Sequence, residues 1–267
     1  MSRLIFLLLF SLPLFSQERI VTLNPAVADI VAALDETENI VAVSDYTLYP
    51  EVLVSRPKVG GYTTLSIEKV LSHRPTLVIG LEHQQKFLSQ LQAFHIRTEM
   101  VRLERIEDIK KSILSLAALL HHEEKGEALI AEIEMSKKSA PKLPVPQSVL
   151  IVFANASSLS RGVYVAGHDL FFEEIIQACG ASNAYTSDYS LQPVLNVEGI
   201  IATNPDHVLL LSGPLDRVNL EKLLQRWQAL PIKAAKNNQI KVIRNDYILI
   251  PSQRIAESIR TVCEAIQ

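Results

Sequence analysis

The sequence has few glycines and none of the glycine-rich loops that hold nucleotides. Only 9 of its 267 residues are glycine, and neither G-x-x-x-x-G-K-S/T nor G-x-G-x-x-G occurs. Both motifs need glycine because the backbone must approach the phosphates closely. The G-x-S-x-G turn of hydrolases and the H-E-x-x-H helix of zinc proteases are absent from the sequence as well. We therefore expect a protein that is not an enzyme, with a secreted hydrolase or a metalloenzyme as the alternative from another class.

An excess of charge of one sign is also lacking. The 26 lysines and arginines nearly balance the 29 aspartates and glutamates, for a formal net charge of −3. Nucleic acids and anionic membrane surfaces attract strongly basic chains. The charge balance indicates neither partner, and no nucleic-acid partner is expected.

The apolar run at the start of the sequence is too short to span a bilayer. It extends from Leu4 to Phe15, whereas a membrane-spanning helix needs about 20 residues. Arg3 precedes the run and Ser16 follows it, a layout typical of a cleavable signal peptide. We predict a signal peptide at residues 1–16 and a periplasmic mature protein, with an uncleaved anchor as the alternative. No cysteine follows the run, so a lipoprotein is not expected.

Cysteine is scarce, because Cys179 and Cys263 are the only two in the sequence. In an oxidising compartment an even pair favours a structural disulfide. The bond would close a loop of about 84 residues and contribute roughly 4 kcal/mol on the chain-entropy estimate. Two buried free thiols are the alternative.

Short apolar runs typical of buried strands alternate with helical patterns along the chain. Thr76 to Ile79 and His207 to Leu211 are two such runs. This alternation predicts an α/β fold with parallel sheets. We place one Rossmann-like lobe at residues 17–105 and a second at residues 141–267.

One long helix is predicted between the lobes, at residues 106–140. No proline occurs from Ile106 to Lys138, Gly126 is the only glycine there, and apolar residues recur near helical spacing. A helix of about 30 residues would span roughly 45 Å. Such a helix would act as a rigid strut and limit the closure of the lobes.

An internal repeat supports two similar lobes that face one another across a cleft. Leu65 to Ile79 aligns without a gap against Leu195 to Leu209, at a constant offset of 130 residues. Each copy has a capping residue, a glutamate two residues later (Glu68 or Glu198), an apolar helix, a proline and a strand. Either glutamate alone would be explained by the helix dipole. The matched pair indicates two acidic positions for docking a partner.

The cluster His121, His122, Glu123 and Glu124 resembles a metal site at first sight. Adjacent helical positions point about 100° apart, so the four side chains could not converge on one ion. We expect a solvated helix face, and we predict no metal site and no cofactor.

The sequence resembles the iron-siderophore, haem and cobalamin binding proteins of ABC importers over nearly all of the mature chain. The resemblance is greatest to the cobalamin-binding members, which carry cysteines near Cys179 and Cys263. The residues that carry it are Arg19 to Pro25, Val41 to Pro50, Leu65 to Gly80, Gly167 to Asn183, and Asn245 with Asp246. This family implies two lobes joined by one long helix, as in class III periplasmic binding proteins. It also implies a ligand that is transported between the lobes.

The resemblance implies which residues meet the ligand and the permease. Tyr46, Tyr62 and Asp246 match cobalamin-contacting positions, and Tyr247 lies beside the last. Cobalamin-binding members use several tryptophans, whereas the comparable places here are Tyr62, Leu81 and Gln192; Trp227, the only tryptophan, is expected in the core. Glu68 and Glu198 match the glutamates that engage arginines of the permease. A monomer is expected.

Haem is the alternative ligand in the same family. Gly61 to Ser66 resembles the context of a haem-ligating tyrosine, which is Tyr62 here. His168 could then approach the iron from the other lobe. A ferric siderophore would favour arginines in the cleft, for which Arg161 and Arg254 are candidates. A copy of the fold that has lost its ligand is a further alternative.

Overall fold

The structure is a computed structural model that describes residues 18–154, 159, 162–187 and 191–267. The predicted signal peptide at residues 1–16 and the siderophore candidate Arg161 lie outside the described residues. Within this part of the chain, no helix is both long enough and apolar enough to cross a membrane.

The N-terminal lobe is built on a parallel four-stranded sheet. Its strands are β1 (Ile20–Thr22), β2 (Ile40–Val43), β3 (Leu77–Leu81) and β4 (Arg97–Val101). They lie in the order β2-β1-β3-β4, and all three pairings are parallel. Its helices are α1 (Pro25–Val31), α2 (Ile67–Ser72) and α3 (Gln85–Gln92). Asn24 caps α1 and Pro25 opens it, because proline needs no hydrogen-bond acceptor in the first turn.

Two antiparallel helices replace the single long helix that the sequence predicts between the lobes. They are α4 (Ile106–Leu120) and α5 (Glu123–Ser139). His121 ends α4 in the left-handed conformation, with φ 62°. A Cβ atom on Gly126 would lie 2.5 Å from Cβ of Ala117, so glycine lets α5 pack closely on α4. The prediction of one helix was wrong. The chain turns at His121, which ends α4, and Gly126 lets α5 pack back against α4.

The break also corrects the interpretation of the histidine and glutamate cluster. His121 and His122 are the cap residues of two helices and do not share one helix face. His122 Nε2 lies 2.8 Å from Oε1 of Glu36. Among the described residues, no group of three or more His, Cys, Asp or Glu is arranged to hold a metal ion.

The C-terminal lobe has a mixed sheet. Its strands are β5 (Ser148–Phe153), β6 (Val163–Val165), β7 (Ser182–Asn183), β8 (Val194–Leu195), β9 (His207–Ser212) and β10 (Ile240–Arg244). Strands β5, β7, β9 and β10 pair in parallel, but β6 and β8 pair antiparallel. The segment from β5 to β6 is too short for a helical crossover, so β6 returns antiparallel. The helices are α6 (Phe171–Ala178), α7 (Val197–Thr203), α8 (Leu220–Gln228), α9 (Lys233–Lys236) and α10 (Ile255–Ala265).

One hydrophobic core runs through both lobes. It includes Ile79 of the first sheet, Ile113 of α4, Ile175 of α6 and Leu209 of the second sheet. Such a continuous core opposes large lobe movements, because opening would expose apolar surface. A second cluster in the C-terminal lobe contains Trp227, which is fully buried, as predicted.

The predicted disulfide is present. Cys179 at the end of α6 is bonded to Cys263 in α10. Both residues are fully buried and belong to the shared core. The bond therefore joins the C-terminal helix α10 to the end of α6.

The internal repeat has the same structure in both lobes. Ser66 and Asn196 each accept a hydrogen bond from a backbone N–H in the first turn of their helix. Helices α2 and α7 are followed by β3 and β9, at the same offset as the sequence alignment. The repeat thus corresponds to one helix–turn–strand unit in each lobe.

Candidate functional site

The carboxyl ends of the parallel strands of both sheets meet at a cleft between the lobes. Each of seven strands contributes a lining residue at its end or just after it: Asn24, Tyr46, Leu81, Arg102, Phe153, Gly213 and Asn245. In open α/β sheets, ligands bind in the crevice outside these carboxyl ends. The fold therefore directs the cleft toward ligand binding.

The larger of two cavities in this cleft has a volume of about 690 Å³. That volume lies in the range typical of small-molecule sites, ~300–1,000 Å³. The first lobe contributes Tyr62, Leu81, Glu82, His83, Val101 and Leu103, and the second contributes Phe153, Leu170, Phe171, Phe172, Leu191 and Gln192. Three positions singled out from the sequence, Tyr62, Leu81 and Gln192, are thus brought together.

Tyr62 forms an aromatic pair with His83 on the N-terminal wall. Their ring centroids are 5.0 Å apart and the planes meet at 22°, while Tyr62 remains 70% exposed. The turn before Tyr62 requires glycine, since Gly60 has a φ of 121° and a Cβ there would lie 2.2 Å from the Thr64 carbonyl oxygen. The local backbone thus projects the phenol into open space.

The opposite wall is made of buried phenylalanines. The rings of Phe171 and Phe172 lie 4.1 Å apart, and Phe153 meets Phe172 edge-on at 5.8 Å. Phe171 and Phe172 open α6 and are 5% and 1% exposed. This wall offers apolar surface of fixed shape to a flat ligand.

A smaller cavity of about 150 Å³ continues the cleft. Tyr46 and Asp246 line it, together with Tyr49, Leu215 and Asp216. Leu249 lines both cavities. The predicted ligand residues are therefore divided between two neighbouring cavities.

Arg254 is held behind the smaller cavity. Its guanidinium donates to both carboxylate oxygens of Asp246, at 2.8 and 3.0 Å, and to Glu257 at 3.2 Å. It also lies over the rings of Tyr49 and Tyr247, with centroids 3.9 and 4.9 Å away. The hydrogen bonds from Arg254 lower the pKa of Asp246. These contacts commit Arg254 to the protein, which weakens its candidacy as a siderophore contact.

Two other predicted ligand residues make contacts with the protein instead. Nδ1 of His168 lies 3.1 Å from Oε2 of Glu173, in the first turn of α6. The hydroxyl of Tyr247 lies 2.9 Å from Oγ1 of Thr261, on α10. Neither side chain is among the described residues that line the two cavities.

Asp29 joins the two lobes beneath the smaller cavity. Ser252 Oγ and Gln253 Nε2 donate to its two carboxylate oxygens, each at 2.7 Å. Burial raises the pKa of Asp29 to about 6, although the hydrogen bonds from Gln253 and Ser252 oppose the shift. We call these three residues the interlobe clasp.

Glu68 and Glu198 occupy equivalent places outside the cleft. Each is the second residue of its helix, α2 or α7, and each is exposed. Because the helix runs antiparallel to the strand that follows it, its first turn lies at the carboxyl end of that strand. Both glutamates therefore stand at the cleft end of their lobes.

The comparisons with known proteins agree with this architecture. A model of the family described as periplasmic binding protein matches residues 20–247. The chain belongs to the periplasmic binding protein family. The binding protein is 21% identical over 251 residues to the vitamin B12-binding protein of Vibrio cholerae serotype O1. That alignment covers 93% of this chain and 89% of the Vibrio protein.

Solved structures show the same fold, which confirms the α/β prediction. The periplasmic haem-binding protein RhuT from Roseiflexus sp. RS-1, in apo form, has a TM-score of 0.78 and 26% identity, covering 94% of this binding protein and 98% of the other chain. The periplasmic vitamin B12-binding protein BtuF of Vibrio cholerae has a TM-score of 0.72 and 18% identity, covering 93% and 96%. At that identity the second likeness shows the fold alone.

The sequence interpretation of the binding protein missed His83, the phenylalanine wall and Asp29. His83 follows the end of β3, so its place at a strand's carboxyl end was a usable signal. Phe171 and Phe172 look like core residues of a helix, and they are also buried. Asp29 carries no local signal, because its partners lie more than 220 residues away in the sequence.

Proposed function

We propose that this binding protein is the substrate-binding component of an ABC importer and carries a large, flat metal chelate between its lobes, with cobalamin as the first candidate. The larger interlobe cavity, with an exposed Tyr62–His83 pair facing buried phenylalanines, is the observation that carries the proposal. The vitamin B12-binding relatives, 20–24% identical, support the choice of ligand.

The proposal includes how the ligand reaches the membrane. Glu68 and Glu198 would dock the two lobes on arginines of a permease, at the end of the molecule where the cleft opens. The protein would act as a monomer in the periplasm after loss of residues 1–16, with no lipid anchor. Lobes at 17–105 and 141–267 and a connecting segment at 106–140 complete the proposed organisation.

The test of ligand binding is a titration of the purified protein with cyanocobalamin and, separately, with hemin. Absorbance and calorimetry would measure stoichiometry and affinity. Saturable one-to-one cobalamin binding would support the proposal. Binding of neither chelate would contradict it.

The test of docking is transport in cells that depend on the imported ligand. The double variant Glu68→Ala/Glu198→Ala should abolish uptake while ligand affinity stays nearly unchanged, because neither glutamate lines the cavities. Glu127→Ala and Glu264→Ala, which remove exposed carboxylates elsewhere, are the matched controls. Uptake that persists in the double variant would contradict a docking role for Glu68 and Glu198.

Haem is the second candidate ligand, and one observation favours it. The phenol of Tyr62 is exposed in the larger cavity beside the imidazole of His83. Phenolate and imidazole are both iron ligands in haem proteins. The likeness to the haem-binding protein of Roseiflexus agrees with this candidate.

A further inference from the structure

The described residues that line the cleft carry many more carboxylates than cations. The carboxylates are Asp29, Glu82, Glu104, Asp216 and Asp246. Arg102 is the one lysine or arginine among these described lining residues. Both cavities therefore present an acidic lining, although the net charge of the whole chain is only −3.

The arginines at the cleft make contacts within the protein: Arg244 donates to the carbonyl oxygens of Pro214 and Asp216, and Arg102 and Arg254 pair with carboxylates. Arg102 is ion-paired with Glu104, and its Nε lies 3.6 Å from Oδ2 of Asp108. Arg254, behind the smaller cavity, is paired with Asp246 and Glu257 and is only 10% exposed. An anionic ligand would have to break one of these ion pairs to gain Arg102 or Arg254.

Besides Asp29, which is buried in the interlobe clasp, two of the lining carboxylates form no salt bridge among the described residues. Glu82 follows β3 beside His83, and Asp216 lies at the rim of the smaller cavity. The carboxylate of Asp216 accepts hydrogen bonds from two neutral groups, the Gly213 N–H at 2.7 Å and the Ser212 hydroxyl at 3.2 Å, whereas Arg244 donates to the backbone carbonyl oxygen of Asp216 at 3.2 Å. Both carboxylates can accept hydrogen bonds from N–H groups of a ligand and would repel its carboxylates.

Metal macrocycles differ in the chemistry of their edges. The haem ring carries two propionates, whereas a corrin ring carries amides, which offer N–H donors and no charge. We infer that the acidic lining makes the cleft selective for chelates with amide edges and selects against chelates with carboxylate edges. This inference rests on the proposed function, because it concerns the same cleft and names the class of ligand within it.

The test compares probes that share a ring and differ only at the edge. Dicyanocobinamide carries amides, and cobyrinic acid carries carboxylates in their place; hemin dimethyl ester and hemin form the matching porphyrin pair. Calorimetry and absorbance at 20 and 300 mM salt would measure all four. We expect the amide and the ester to bind at least roughly tenfold more tightly than their acids at low salt, with the gap narrowing as salt screens the charges.

Variants locate the effect in named residues. Glu82→Gln removes one carboxylate that forms no salt bridge, and Glu104→Gln also releases Arg102 from the closer of its two ion pairs. Each should strengthen binding of hemin by roughly 3- to 10-fold, with Glu104→Gln giving the larger gain. Glu221→Gln, the same change at an exposed position that lines neither cavity, should leave hemin affinity unchanged.

The outcomes separate the inference from the function on which it rests. Equal affinity for acid and amide probes, or tighter binding of the acids, would overturn the inference and leave chelate binding intact. Binding of none of the four probes would overturn the proposed function and the inference with it. Selectivity that is lost in both Gln variants but kept in Glu221→Gln would support the inference.

Discussion

The two walls of the cleft are built in opposite ways. The N-terminal wall presents Tyr62, which is 70% exposed and stacked on His83, at the end of a glycine turn. The C-terminal wall presents Phe171 and Phe172, which are almost fully buried in the shared core. An exposed ring can still gain from being covered by a ligand, whereas a buried ring has already gained that free energy in folding. The first wall should therefore determine affinity and the second should determine stability and shape.

The largest effect that this contrast predicts is a loss of stability on the C-terminal wall. Phe172→Ala should lower the free energy of unfolding by about 3–5 kcal/mol, because it leaves a cavity in the shared core. Urea denaturation of wild type and variant measures the difference. Phe94→Ala, at a ring that is 55% exposed, is the control and should cost less than about 1 kcal/mol. A small cost at Phe172 would show that the wall is not part of the core.

Local patterns in the sequence predict the lobes better than they predict the walls. Apolar runs such as β9 and the capped helices of the repeat are local signals, and both lobes follow them. The residues of the walls come together only through the tertiary fold. The resemblance at Gly61 to Ser66 predicted Tyr62, but its partner His83 lies 21 residues further along the chain.

The connection between the lobes shows where local pattern fails. Helical spacing continues through residues 106–139, so periodicity alone predicts one helix. The turn at His121 depends on α5 packing against α4 through Gly126 and on the ion pair between Lys110 and Glu134. Such contacts appear only when the chain has folded back on itself. Tertiary packing here overrides a strong helical pattern.

For the interlobe clasp we predict an effect on stability that depends on pH and is intermediate in size. Asp29 has a pKa of about 6 when folded, against 3.8 as its ordinary value, so the folded protein binds its proton more tightly. The stabilisation from that proton is complete below pH 3.8 and is lost as the pH rises through about 6. Relative to Asp29→Asn, which does not titrate, wild type should lose up to about 3 kcal/mol between pH 4 and pH 7.

Urea denaturation of both proteins at pH 4, 5, 6 and 7 measures this difference. A constant difference would mean that the pKa of the clasp carboxylate is not raised in the folded protein. The pH dependence thus tests whether burial between the two lobes excludes water from the Asp29 carboxylate.

The smallest effect on stability, and the most informative one for function, is expected on the N-terminal wall. Tyr62→Ala should change the free energy of unfolding by less than about 0.5 kcal/mol, because the ring is exposed. The same variant should weaken binding of the preferred chelate by roughly tenfold through loss of the aromatic face.

Tyr62→Phe keeps that face and removes only the hydroxyl, so cobalamin affinity should stay within about twofold. If haem is the ligand and the phenolate binds its iron, Tyr62→Phe should instead shift the absorbance of the bound haem and lower its affinity, which separates a stacking wall from a coordinating one.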